Sequence, residues 1–63
     1  MMRKYKCFWF ETYEEGLTTI EYVTNIFYNG TCANVVSHPD EDTSIVMAKD
    51  WVDSEGFEWL GYE

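Results

Sequence analysis

Glutamine is missing from this 63-residue sequence, and leucine and alanine occur only twice each, as Leu17, Leu60, Ala33 and Ala48. These are the residues from which helices form most readily, so a helix bundle is disfavoured at the outset. Proline occurs once, at Pro39, and Gly16, Gly30, Gly56 and Gly61 are scattered singly. Scattered glycines exclude a glycine-rich phosphate loop, and with it nucleotide binding of that kind. No repeat, low-complexity run or linker divides the chain, which reads as one small acidic domain over residues 1–63.

Metal and thiol chemistry are equally short of residues. Cys7 and Cys32 lie 25 positions apart and His38 is the only imidazole, against the four closely spaced Cys or His ligands of a structural zinc site. Asp40-Glu41-Asp42 lacks the spacing of a calcium loop and reads as solvated carboxylates. A nucleophile needs an oriented base, and the one set available is Cys7 or Cys32 with His38 and Asp40. His38, directly before Pro39 in an acidic stretch, reads better as a loop residue. The expectation is a protein that is not an enzyme, with no cofactor, no metal and no catalytic residue.

Long apolar runs are absent too. After Arg3, Lys4 and Lys6 the stretch Cys7-Phe8-Trp9-Phe10 ends at Glu11, too short for the 7–15 apolar residues, roughly, of a signal peptide. Residues 22–39 carry no formal charge but include Thr24, Asn25, Asn29, Gly30, Asn34, Ser37 and Pro39, which a spanning helix of about 20 apolar residues would not tolerate. The expected location is therefore the cytoplasm, without membrane contact, where both thiols stay reduced.

What the sequence does have is aromatic and β-branched residues: five Tyr, four Phe and three Trp, in a chain that is 46% apolar. That composition argues for a folded domain despite the charge, and for pleated rather than helical structure. A strand is expected over Lys4–Thr12, with Phe8 and Phe10 on one face and Cys7 and Trp9 on the other. Leu17–Tyr28 fits both periods; its β-branched and aromatic residues, and the Asn29-Gly30 hairpin signal that follows, favour a strand. Further strands are expected at Thr31–Ser37, at Thr43–Val52 with helix as the weaker option, and at Phe57–Tyr62. His38–Asp42 reads as a solvated turn and Asp53-Ser54-Glu55-Gly56 as a hairpin connection. The fold class is mainly β, a small five-stranded antiparallel sheet or barrel. The alternative is α+β, with a helix at about 14–28 packed on a three- to four-stranded sheet.

Charge is the most informative feature. Twelve acidic residues face four basic ones, for a net charge of -8, and beyond Lys6 the only basic residue is Lys49. Such an excess repels nucleic acid and seeks a partner rich in Lys and Arg. Carboxylates two residues apart on a strand stand about 6.6 Å apart, comparable with two steps along a nucleic-acid strand at ~3.4 Å each; Asp53/Glu55 and Asp40/Asp42 are such pairs if extended. In composition the chain resembles small acidic inhibitors from phages and mobile elements. The resemblance implies a DNA-mimic binding mode on the basic surface of a host defence protein, of the restriction or CRISPR kind. The residues expected to bind are Glu14, Glu15, Glu21, Asp40, Glu41, Asp42, Asp53 and Glu55, with Trp51 and Trp59 as anchors. The competing expectation is a structural module that forms a homodimer or larger homo-oligomer through exposed aromatics, the acids serving solubility.

Overall fold

In a computed structural model, which describes residues 2–60, the chain forms a four-stranded antiparallel sheet in the order β1-β2-β3-β4, followed by two helices. The strands are β1 (Met2–Tyr5), β2 (Phe8–Glu15), β3 (Glu21–Tyr28) and β4 (Thr31–His38). The helices are α1 (Glu41–Glu55) and the short α2 (Phe57–Leu60). The fold is thus mostly strand, a helix packed on a four-stranded sheet, with the helix at 41–55 instead of 14–28.

Local chemistry explains each turn. Tyr28 pairs with Thr31 across Asn29-Gly30, and both loop residues have positive φ, 55° and 83°. Two positive-φ residues match the right-handed twist of a two-residue hairpin, and Asn and Gly adopt them most readily. The β1–β2 hairpin turns on Lys6-Cys7, with Tyr5 opposite Phe8 and Lys6 in the left-handed region at φ 56°. Neither residue signals a turn, so the single strand expected at Lys4–Thr12 is in fact two. Lys6 is held there by its ammonium, 2.6 Å from Asp53 Oδ1 on α1.

Four further expectations are corrected around the helices. Thr43–Val52 is helical, because Asp40 caps the segment: its carboxylate accepts from Thr43 N at 2.9 Å and Thr43 Oγ1 at 2.8 Å. Glu41 and Asp42, expected in a loop, occupy the first turn, where acidic side chains favour the helix dipole. Asp53 to Glu55 continue the same helix, with the Gly56 N–H bonding Val52 O at 2.9 Å. Phe57–Leu60 is helical where a strand was expected; Gly61 and Tyr62 of that expected strand lie outside the described residues.

The core lies between α1 and one face of the sheet. Alternation puts Phe8 and Phe10 of β2 and Ile26 and Tyr28 of β3 on that face, and α1 covers them with Ile45, Ala48 and Val52. The rings interlock: Phe8 meets Tyr28 at 5.1 Å and Tyr5 meets Phe10 at 5.9 Å between centroids. Among the described residues two polar side chains are sealed inside, Thr24 and Ser44, each 0% exposed. Their hydroxyls bond each other at 2.8 Å, and Thr24 also bonds Thr12 at 3.0 Å, so α1 is tied to β3 and β2 by satisfied hydrogen bonds.

Candidate functional site

The strand register sorts the acidic residues. Glu15 stands opposite Glu21 and Glu14 opposite Tyr22, and Tyr22 in turn stands opposite His38. His38 Nδ1 accepts from the Asp40 backbone N–H at 3.0 Å, which places the start of α1 beside the same strand ends. Glu14, Glu15, Glu21, Asp40, Glu41 and Asp42 therefore gather at one pole of an elongated molecule of 41 × 20 × 15 Å.

The electrostatics agree with that placement. The Tyr22 hydroxyl is pushed above its ordinary value of 10.0, first by the Glu14 charge, then by desolvation and by Glu41 and Asp40. Asp40 is held below the usual carboxylate range by its two bonds from Thr43, so it stays ionised while it caps. The basic residues are elsewhere. Arg3 and Lys4 stand opposite Phe10 and Trp9, and the Lys6 and Lys49 ammonium groups lie 5.4 Å and 5.6 Å from the Tyr5 ring. From the level of Phe10 to that of Glu14 is four strand residues, about 13 Å.

The remaining expected binders sit at or near the other pole. Asp53 accepts from Lys6 Nζ at 2.6 Å and from the Tyr5 hydroxyl at 2.9 Å, and its carboxyl is held low by the Lys6 and then the Tyr5 bond. Glu55 is exposed in the last turn of α1; since successive helical residues turn by about 100°, it shares no face with Asp53, and the extended Asp53/Glu55 pair does not exist. Asp40 and Asp42 are likewise not an extended pair. Trp51 and Trp59 are half-buried against the core, edge-on to Phe8 at 6.0 Å and to Tyr28 at 6.4 Å.

Other side chains are more open. On the sheet face away from α1, Trp9 and Tyr13 are each 43% exposed and Val35 is 50% exposed, with the Lys4 ammonium 5.9 Å from the Trp9 ring. Alternation was the signal for them: once Phe8 and Phe10 point inward, Trp9, Glu11 and Tyr13 must point out.

A shallow pocket of about 140 Å³ between the β1–β2 turn and the end of α1 is lined by Lys6, Cys7, Phe8, Val52, Asp53 and Phe57, well below the ~300 Å³ at which ligand pockets begin. Cys32 and His38 sit at opposite ends of β4, about 20 Å apart at strand rise, and do not meet as nucleophile and base. Among the described residues no three carboxylate, imidazole or thiol groups converge as metal ligands, and no helix is long and apolar enough to cross a membrane. Comparisons with family models, curated proteins and solved structures find no match.

Proposed function

We propose that this is a non-catalytic, cytoplasmic binding protein that docks its acidic pole on the basic, nucleic-acid-binding surface of a host protein, as a phage or mobile-element inhibitor. The observation that carries the reading is the segregation of charge. Six carboxylates from β2, β3 and the start of α1 share one pole, while the four basic residues lie on β1, its turn and the body of α1. Solubility alone asks only for net charge, wherever it lies. Gathering like charges is unfavourable to the fold, and Glu15 directly opposite Glu21 is a repulsive cross-strand pair. A concentrated negative field of this kind steers association with a cationic surface and competes with the phosphates that surface otherwise binds.

The test is capture from a bacterial lysate on immobilised protein. Retention of the partner falls with added salt and with competing duplex DNA, and a Glu14→Lys, Glu15→Lys, Glu21→Lys variant loses it. A variant reversed at Glu55 and Glu58, near the other pole, retains it. Retention that is indifferent to salt and to the first variant would overturn the reading.

A further inference from the structure

The acidic pole is not uniformly polar. Residues 16–20 join β2 to β3 there, between Glu15 and Glu21, which are register partners at the base of the loop. Gly16, at φ +124°, lets the chain turn so that the Thr19 carbonyl oxygen packs where a side chain at position 16 would stand. A loop closed on itself in this way has less freedom to lose on binding. It carries Leu17, which is 103% exposed, more open than any other large apolar side chain among the described residues. Ile20, next to Glu21, is 49% exposed, and neither residue belongs to the core. A leucine wholly in water contributes no burial to folding; what it can contribute is burial against another surface.

We propose that Leu17, supported by Ile20, is the apolar anchor of the acidic pole and inserts into an apolar recess ringed by Lys and Arg on a partner protein. This role rests on the docking of the acidic pole proposed above, to which it adds the shape of the partner's surface.

Charge complementarity selects that occupant. Glu14, Glu15 and Glu21 flank the loop on both strands, so whatever receives Leu17 meets carboxylates on either side. Protein interfaces commonly bury an apolar anchor inside a polar rim. Here the rim is anionic, and its complement is cationic. A second copy, with the same carboxylates and a net charge of -8, is repelled, as is an anionic lipid surface.

The form of a nucleic-acid-binding surface fits as well. Such surfaces hold phosphates in a cationic groove and bases on apolar or aromatic side chains within it. Carboxylates on the phosphate sites and a leucine on a base site would occupy both at once. The tryptophans expected as anchors do not serve this pole, since Trp51 and Trp59 pack against the core rings Phe8 and Tyr28.

Leu17→Glu separates an anchor from a purely electrostatic pole. It adds a carboxylate, which tightens binding if charge alone acts and weakens it if Leu17 enters an apolar recess. The probe is the protein that the wild-type chain retains from bacterial lysate and releases with salt, purified and titrated against each full-length variant by calorimetry. Leu17→Ser and Leu17→Glu weaken binding by about tenfold or more, and Leu17→Met keeps most of it. Phe57→Ser, at an exposed apolar position near the other pole, leaves it unchanged, with circular dichroism confirming each fold. Leu17→Ser costs the same factor at every salt concentration, because it removes no charge, whereas the Glu14→Lys, Glu15→Lys, Glu21→Lys variant loses the salt-sensitive binding itself. A photoreactive residue in place of Leu17 cross-links to an apolar segment flanked by Lys and Arg; one in place of Phe57 does not. Unchanged affinity in Leu17→Ser, or tighter binding by Leu17→Glu, overturns the anchor and leaves the docking of the acidic pole standing. If the wild type retains no protein in a salt-sensitive way, the docking itself fails and the anchor with it. A homodimer that Leu17→Ser dissociates in sedimentation equilibrium also overturns the proposal, since a second copy would then cover the loop.

Discussion

Replacing Thr24 by Val keeps the side-chain shape and removes one oxygen from a polar contact sealed between sheet and helix. Its effect follows from the order of the hydroxyls. Thr24 is the middle member, 3.0 Å from Thr12 and 2.8 Å from Ser44. Thr12 is partly exposed and regains water when Thr24 is lost. Ser44 is 0% exposed, so its hydroxyl is left buried and unpaired, at a cost of about 1–3 kcal/mol. Ser44→Ala is milder, about 0.5–1.5 kcal/mol, because Thr24 keeps its bond to Thr12. The double variant places apolar groups on both sides of the contact and is more stable than Thr24→Val alone, a coupling on the order of 1 kcal/mol. In a chain of this size Thr24→Val lowers Tm by on the order of 10 °C. Urea unfolding followed by tryptophan fluorescence measures all three against wild type, with an unchanged m-value as the control for two-state behaviour. Strictly additive costs, or a Thr24→Val no worse than Ser44→Ala, would refute the reasoning and mean that Ser44 turns to a carbonyl of its own helix.

Other perturbations test the supports of the two poles. The folded-state values of Asp53 and Lys6 are displaced in opposite directions from 3.8 and 10.5. Stability from Asp53 is present above 3.8 and lost as pH falls through its lowered value; that from Lys6 is present below 10.5 and lost as pH rises through its raised one. Thermal melts of Asp53→Asn should therefore show reduced stability at neutral pH and shallower acid and alkaline limbs than wild type. Gly16→Ala drives a Cβ into the Thr19 carbonyl oxygen at φ +124°, and a loss of about 1–3 kcal/mol in chemical denaturation is expected. Asp40→Ala removes both bonds to Thr43 and should reduce helical circular dichroism and Tm, whereas Asp42→Asn, which leaves that cap intact, should change them far less.

Much of the sheet is legible in the residues themselves. Asn29-Gly30 between two β-rich runs specifies the β3–β4 hairpin, and the alternation of Phe8 and Phe10 with Trp9 separates the two faces of β2. The Lys6-Cys7 turn is not legible, since it is stabilised by Asp53, 47 positions away. The helix over 41–55 was marked by a capping Asp40, by Glu41 and Asp42, and by apolar Ile45, Ala48 and Val52. Thr43, Ile45, Val46 and Val52 carry β propensity as well, and in so short a segment the two signals conflict. The decision comes from the sheet: one face bearing Phe8, Phe10, Ile26 and Tyr28 needs a cover, and a helix with Ser44, Ile45, Ala48 and Val52 on one stripe supplies it.

The sequence by itself determined that the chain would be acidic beyond Lys6, aromatic-rich and largely pleated, because net charge and side-chain alternation are properties of composition and order. It named Glu14, Glu15, Glu21, Asp40, Glu41 and Asp42 without showing that they share a pole. Only the tertiary structure decided that, by pairing Glu15 with Glu21 and bringing the start of α1 beside Tyr22 and His38. It also engaged Asp53 with Lys6 and turned Trp51 and Trp59 against the core. Local sequence rules reach across one helical turn or one hairpin, whereas these contacts join residues far apart in the chain and exist only once the strands are in register and α1 lies over the sheet.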